Sequence, residues 1–333
     1  LCGGCALLHQ AYPDQLAWKE KKVKELLEKF AGITPRMMPI LSDEQFHYRN
    51  KLTLHHLGLY QKKTHQDLKI EACLLVDPKI NEILKRLKDY QRNTHEKIKE
   101  AMIRTTTQGE TSLSLTGEIQ IEKIKEEFSD ITCLLVNGNF LTEKKTIKDK
   151  LCNHLFLLSP ESFYQVNRFL TEKLYQEIVS VFKDLSHQHV LDLYCGVGTI
   201  SLIVSHYVRH VTGIEIVKEA IENANQNKQL NNITNVDFIC GKVEDYIDHF
   251  QEVDAIIVDP PRSGLDSKTI NHILKIAPQT LVYVSCDPVT LSRDLNILKE
   301  KYNVVSVRPV DMFPNTHHVE CVSVLHLKET EKH

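Results

Sequence analysis

From residue 189 onward the chain repeats one unit: a short apolar, β-branched run, a tight turn, then an amphipathic stretch. The apolar runs fall at 190–194, 210–216, 236–240, 253–259 and 281–285, with helical periodicity at 200–206 and 218–230. Such runs read as buried strands, and their alternation with helices predicts an α/β fold built on a parallel, doubly wound sheet. The tail breaks the pattern. Residues 302–309 and 321–327 are strand-like with no helix between them, which predicts antiparallel pairing at one edge of that sheet.

Open sheets of this kind place their ligands beyond the carboxyl ends of the strands, so the residues that end each run carry the functional information. The first run leads into Asp192-Leu-Tyr-Cys-Gly-Val-Gly198. Its glycines let a backbone approach a ligand closely, but Ser201 stands where a dinucleotide fingerprint has its third glycine, which argues against a cradled pyrophosphate. Glu215 ends the second run, 215 − 192 = 23 residues after Asp192, where a carboxylate accepts hydrogen bonds from ribose hydroxyls. Together these favour S-adenosylmethionine over NAD.

The fourth run ends in Asp259-Pro-Pro-Arg-Ser-Gly264, whose two prolines stiffen a loop at the cofactor end. Asp259 either orients a polar group of the ligand or ends the strand in a plain turn. The fifth run ends in Ser285-Cys-Asp-Pro288. Cys286 is either a nucleophile or a buried structural cysteine. Glu320 enters the apolar run of Val319, Cys321, Val322 and Val324. Burial there would raise its pKa and suit it to proton transfer; the alternative is a satisfied, half-buried carboxylate.

The first half is less regular. Cys2-Gly-Gly-Cys5 suits zinc, an iron–sulfur cluster or a redox pair, or is a pair of free thiols. Cys73 is the best candidate to join it. Residues 12–30 and 77–93 have helical periodicity, and the lysines of the first, Lys19, Lys21, Lys22, Lys24 and Lys29, alternate with glutamates as on a solvated face. Gly32 and Pro35 should end that helix. A hairpin over 47–65 carries Arg49, Lys51, Lys62 and Lys63 with Tyr48 and Tyr60. It would grip an RNA backbone or be an ordinary exposed hairpin. Strand-like stretches at 101–107, 111–115 and 131–136 complete a smaller α+β region. Gln165 and Asn167 belong either to a loop over a ligand or to a capped helix start. The expected division is 1–34 for a cysteine-bearing segment and helix, 35–155 for an RNA-contacting α+β domain and 156–333 for the cofactor domain.

With 333 residues the chain can bury a sizeable core, and no run approaches the length of a membrane span. Nine cysteines in a chain this long fit a reducing, cytoplasmic setting rather than a disulfide scaffold. The net charge of −3 lacks the basic excess common in nucleic-acid binders, yet leaves room for a local basic face. The first residues do not read as a signal peptide, and the missing initiator Met points to residues upstream. A monomer is the default.

At CGGC 2–5, YRNK 48–51, FYQVN 163–167, DLYCGVGT 192–199, DPPRSG 259–264, SCDP 285–288 and HHVE 317–320, the chain resembles the RNA (uracil-5-)-methyltransferases. It is most similar to their iron–sulfur branch, which modifies 23S ribosomal RNA. The resemblance implies a Rossmann-like methyltransferase domain in which Cys286 attacks C6 of a uridine and Glu320 removes the C5 proton. It implies that Gln165, Tyr194, Thr199, Glu215, Lys242 and Asp259 line the cofactor and substrate site. Thr199 stands where asparagine is frequent, and Lys242 where an Asn or Asp contacts the cofactor. The resemblance further implies a [4Fe-4S] cluster on Cys2, Cys5, Cys73 and a cysteine upstream of Leu1. A transfer RNA enzyme and a non-catalytic RNA-binding iron–sulfur protein are the alternatives. The reacting base would have to leave its stack to reach the thiol.

Overall fold

Five parallel strands, Val236–Cys240, His210–Glu215, His189–Leu193, Ala255–Val258 and Thr280–Ser285, lie side by side in that order in the computed structural model. Every residue of Ala255–Val258 and Thr280–Ser285 is buried, which is why these segments are apolar without alternation. The chain order reverses between His189–Leu193 and Ala255–Val258, so connections leave in opposite directions there and open a crevice beyond the strand ends. The turn at 194–198 and the loop at 259–264 flank that point.

Glu320–Leu327 pairs antiparallel with Thr280–Ser285 on one side and with Tyr302–Val310 on the other. The antiparallel pair expected from the tail is present, but it does not form the edge. Arg36–Met37 adds in parallel to Tyr302–Val310 and makes the sheet eight-stranded. A two-residue strand has no periodicity to read, yet it covers an edge that would otherwise present open backbone groups.

The described residues are 2–61, 64, 66–183 and 189–329. They divide into two compact units, one of Leu1–His9, Glu44–Phe169 and Pro314–Thr316, the other of Gln10–Asp43, Leu170–Phe313 and His317–His333. Helix Tyr12–Leu26 therefore belongs to the unit with the eight-stranded sheet. It continues as a wider turn over Leu27–Ala31 and stops at Gly32, whose φ of 60° is left-handed. Lys19 departs from the expected solvated face. It is fully buried, ion-paired with Asp311 and bonded to the Phe313 carbonyl at 3.0 Å, while the Tyr12 hydroxyl donates to Asp311 at 2.8 Å.

The other unit is a seven-stranded sheet in the order Asp67–Lys69, Gly58–Tyr60, Lys51–His55, Lys97–Thr105, Thr111–Glu118, Cys133–Val136, Asn139–Phe140. Helix Pro78–Thr94, capped by Asp77, contributes Ile80, Ile83, Leu84 and Leu87 to the core of this unit. Lys51–His55 meets Gly58–Tyr60 at its end, as expected of a hairpin, but pairs along its whole length with Lys97–Thr105. Lys62 and Lys63 lie outside the described residues. The helices Ile121–Glu127 and Thr171–Ser180 and the hairpin of Ile147–Leu151 with His154–Leu158 are additions to the sequence reading. All nine cysteines are free, and no helix of the described residues is long and apolar enough to cross a membrane.

Candidate active site

Strand register brings the thiol and the carboxylate together. Ser285 lies opposite Cys321 in the antiparallel pair, so Cys286 and Glu320 occupy the next level at the same end of the sheet. Asp287 caps helix Pro288–Leu298 by accepting from the Val289 amide at 2.8 Å, which fixes the chain just after Cys286. Burial, then the carboxylates of Glu320 and Asp259, push the Cys286 thiol up to about 11, against the opposing charge of Arg262. Glu320 is 4% exposed and its Oε2 has no partner. Burial and Asp259 raise its pKa to about 8, again opposed by Arg262. A thiol and a carboxyl that both hold protons near neutrality therefore share one electrostatic neighbourhood.

A second cluster is built by the turn after His189–Leu193. Tyr194, Gly196 and Gly198 all have positive φ, at 66°, 54° and 78°. A Cβ on Gly198 would stand 2.6 Å from the Phe238 ring, so only glycine fits; a Cβ on Gly196 would meet no atom within 4 Å. Glu215 accepts from the Gly196 amide at 3.1 Å and the Val217 amide at 2.8 Å, which holds its carboxylate beside the turn. Thr199 opens the following helix with its hydroxyl 3.0 Å from that of Tyr175. Lys242 is exposed and follows Gly241, whose amide donates to the Glu215 carbonyl at 2.9 Å. Burial, then Asp192, raise Asp259 to about 7. Burial likewise raises Asp192 to about 7, although Ser201 donates to it, and its Oδ1 has no partner.

The loop at 259–264 is held by a buried carboxylate. Asp294 accepts from the Leu265 amide at 2.8 Å and the Tyr283 hydroxyl at 2.7 Å, and pairs with Arg293 at 2.7 Å. Arg293 in turn donates to the Ser263 and Leu265 carbonyls, at 2.8 and 3.1 Å. The sequence reading missed Asp294 and Arg293, because a charged pair inside a helix looks like a solvated face until its partners are known. It also treated Asp192 only as the start of a turn. Ile216 and Val217, 56% and 49% exposed immediately after Glu215, were passed over as the end of a strand. Two bare apolar residues directly after a carboxylate at a strand end are the signal that would have found them.

Gln165 and Asn167 belong to the other unit and are buried there. The Gln165 carbonyl accepts from Asn50 Nδ2 at 3.0 Å, and the Asn50 amide donates to the Val166 carbonyl at 2.9 Å. Phe163, between them and Ser162, is 71% exposed. Cys5 has its thiol pKa raised by burial and by the neighbouring charges of Cys73 and Cys2, with Arg49 opposing. The Asn81 amide clamps Cys73 through its N–H at 2.9 Å and its carbonyl at 3.0 Å. Among the described residues no three His, Cys, Asp or Glu side chains close around a single metal ion. A cubane cluster takes four thiolates, and these residues supply three.

The tRNA (uracil-5-)-methyltransferase family model matches residues 127–328. Among curated proteins, an uncharacterized RNA methyltransferase of Clostridium tetani (strain Massachusetts / E88) is 35% identical over 370 residues, covering 97% of this chain and 80% of that protein. One from Staphylococcus aureus (strain MSSA476) is 33% identical over 374 residues, covering 98% of this chain and 83% of the relative. Among solved structures, the Pyrococcus abyssi tRNA (uracil-54, C5)-methyltransferase in complex with S-adenosyl-L-homocysteine superposes with a TM-score of 0.82 at 25% identity, covering 98% of this chain and 86% of that one. The chain belongs to the tRNA (uracil-5-)-methyltransferase family of S-adenosylmethionine-dependent RNA methyltransferases.

Proposed function

We propose that this chain methylates C5 of a uridine in 23S ribosomal RNA through a covalent bond between Cys286 and C6 of the base. The observation that carries this reading is the adjacency of Cys286 and Glu320 at paired strand ends. Uracil C5 is too weak a carbon nucleophile to take a methyl group unaided. Cys286 releases its proton to solvent and its sulfur bonds to C6, and the C5–C6 π pair moves into an enolate across C5, C4 and O4. S-adenosylmethionine, when bound, would supply an electrophilic methyl group, which C5 takes as the methyl–sulfur bond pair stays on sulfur and S-adenosylhomocysteine departs. Glu320, ionised, accepts the C5 proton; the C–H pair restores the C5–C6 double bond and the Cys286 thiolate leaves.

The other site residues divide by what they can hold. Glu215 suits the ribose hydroxyls and Ile216 the adenine face, while Tyr194, Thr199 and Lys242 flank the same turn. The unpaired Asp192 Oδ1 suits a cationic donor such as the methionine ammonium. Asp259 and Gln165 we assign to polar groups of cofactor or base. The α+β unit is assigned to RNA contact and the sheet unit to chemistry. Cys2, Cys5 and Cys73 would ligate a [4Fe-4S] cluster with a fourth ligand that they do not provide, and no step of the reaction is routed through it. A monomer in the reducing cytoplasm fits the free thiols.

A second reading, a transfer RNA substrate, is favoured by the Pyrococcus enzyme, which acts on tRNA. The test is methyl transfer from labelled S-adenosylmethionine to protein-free 23S rRNA and to bulk tRNA, with the nucleoside identified by mass spectrometry. The 23S assignment requires 5-methyluridine in rRNA; label only in tRNA selects the second reading. No 5-methyluridine in either, from protein reconstituted with iron and sulfide, would leave a non-catalytic RNA-binding protein.

A further inference from the structure

Lys51 and Arg104 stand directly opposite each other on the antiparallel strands Lys51–His55 and Lys97–Thr105. Like charges at such positions repel, and here water does little to screen them. Arg104 is 1% exposed. Burial, then the charges of Arg104 and Arg49, bring Lys51 down to about 8, and burial brings Arg104 down to about 10. Arg104 Nη2 donates to the Ser162 carbonyl at 2.6 Å, but its Nε and Nη1 are buried without a partner, as is Nε of Arg49.

The neighbouring acids do not relieve this. Asp149, near Arg104, accepts instead from the Thr107 amide at 2.8 Å, the Thr107 hydroxyl and the Lys150 amide at 2.9 Å. Tyr164 is the other acidic group facing Arg104, and Glu161, facing Lys51, is exposed. Buried, unused donors on Arg49 and Arg104, with the Lys51 charge beside them and no committed anion among the described residues, are costly to fold. An arrangement of this kind is maintained when an external anion completes it.

We infer that Arg49, Lys51 and Arg104 form a phosphate site that takes one phosphodiester of the RNA substrate's backbone. Guanidinium forks and an ammonium match the oxygens of a phosphate. Phe163, 71% exposed and next to the Ser162 carbonyl that Arg104 holds, offers a face on which an adjacent base can stack. The naming of RNA as the source of the phosphate rests on the methyltransferase reading; the anion site does not.

The test is RNA binding against salt concentration for wild type, Lys51→Met and, as a surface control on the neighbouring strand, Lys97→Met, whose side chain is 76% exposed. Lys51→Met should weaken binding of the substrate RNA about tenfold near 0.1 M salt and flatten the log–log salt slope by about 1. It should also melt at a higher temperature than wild type, because it removes a repulsion. Arg49→Met provides a second variant should the first misfold. An unchanged affinity and slope in folded Lys51→Met overturns the proposal. So does a result in which inorganic phosphate raises the melting temperature of wild type but not of Lys51→Met while RNA binding is unaffected, since the site would then serve free phosphate. A flattened slope in Lys51→Met with no 5-methyluridine formed by wild type upholds the phosphate site and removes the activity reading.

Discussion

Cys286 and Glu320 stand side by side because the residues next to them, Ser285 and Cys321, are register partners on antiparallel strands. Burial and Glu320 disfavour the Cys286 anion, and burial and Asp259 disfavour that of Glu320, so in the free protein both groups are protonated near neutrality. The proposed reaction needs both protons gone at different moments, which would set its pH behaviour.

Activity should climb with pH. Cys286, at about 11, and Glu320, at about 8, both hold their protons at neutral pH. Single-turnover methyl transfer should rise by about tenfold per pH unit below Glu320's value, because the ionised fraction grows at that rate. A flat profile between about pH 6 and 8 would show that neither group titrates as described.

Glu320→Gln should stabilise the protein at alkaline pH. The carboxyl moves from 4.5 to about 8 on folding, so the folded chain binds its proton more tightly than the unfolded chain. That contribution is fully present below 4.5 and is lost as pH rises through about 8. The glutamine variant has no such loss. Melting curves should coincide in acid and separate near pH 8.5 in favour of the variant, by on the order of a few kcal/mol. Asp192 and Asp259 shift in the same direction in both proteins and cancel in the comparison.

Asp294→Ala should damage the loop at 259–264. It strips partners from Leu265 and Tyr283 and frees Arg293 from its anchor. The expected cost is about 2–4 kcal/mol for the buried donors left unpaired. Methyl transfer should fall more than cofactor affinity, and Asp294→Asn should restore part of both.

Glu215→Gln should weaken S-adenosylmethionine binding by about tenfold, since a carboxylate accepts more strongly from ribose hydroxyls than an amide does. Titration calorimetry reads this directly. Equal affinity would move the ribose contact elsewhere.

The sheet unit was legible because strands buried on both faces are apolar throughout; Val236–Cys240 and helix Lys218–Leu230 match the sequence reading residue for residue. Cys286 and Glu320 were legible one at a time, each from its place at a strand end. Their adjacency was not, since it depends on Glu320–Leu327 inserting between Thr280–Ser285 and Tyr302–Val310. Arg36–Met37 was too short to show a period. Lys19 reads as a surface cation because sequence carries no sign of the distant group around it: Asp311 lies 292 residues from Lys19.

The central claim is the covalent bond from Cys286 to C6, and its most direct measurement is a denaturing gel of RNA incubated with S-adenosylmethionine and Glu320→Gln. If Glu320 takes the C5 proton, elimination stalls in this variant and an RNA–protein adduct that survives denaturation accumulates. Adding Cys286→Ala should abolish it. An adduct that persists without Cys286, or free RNA carrying 5-methyluridine made at the wild-type rate by Glu320→Gln, would contradict the account.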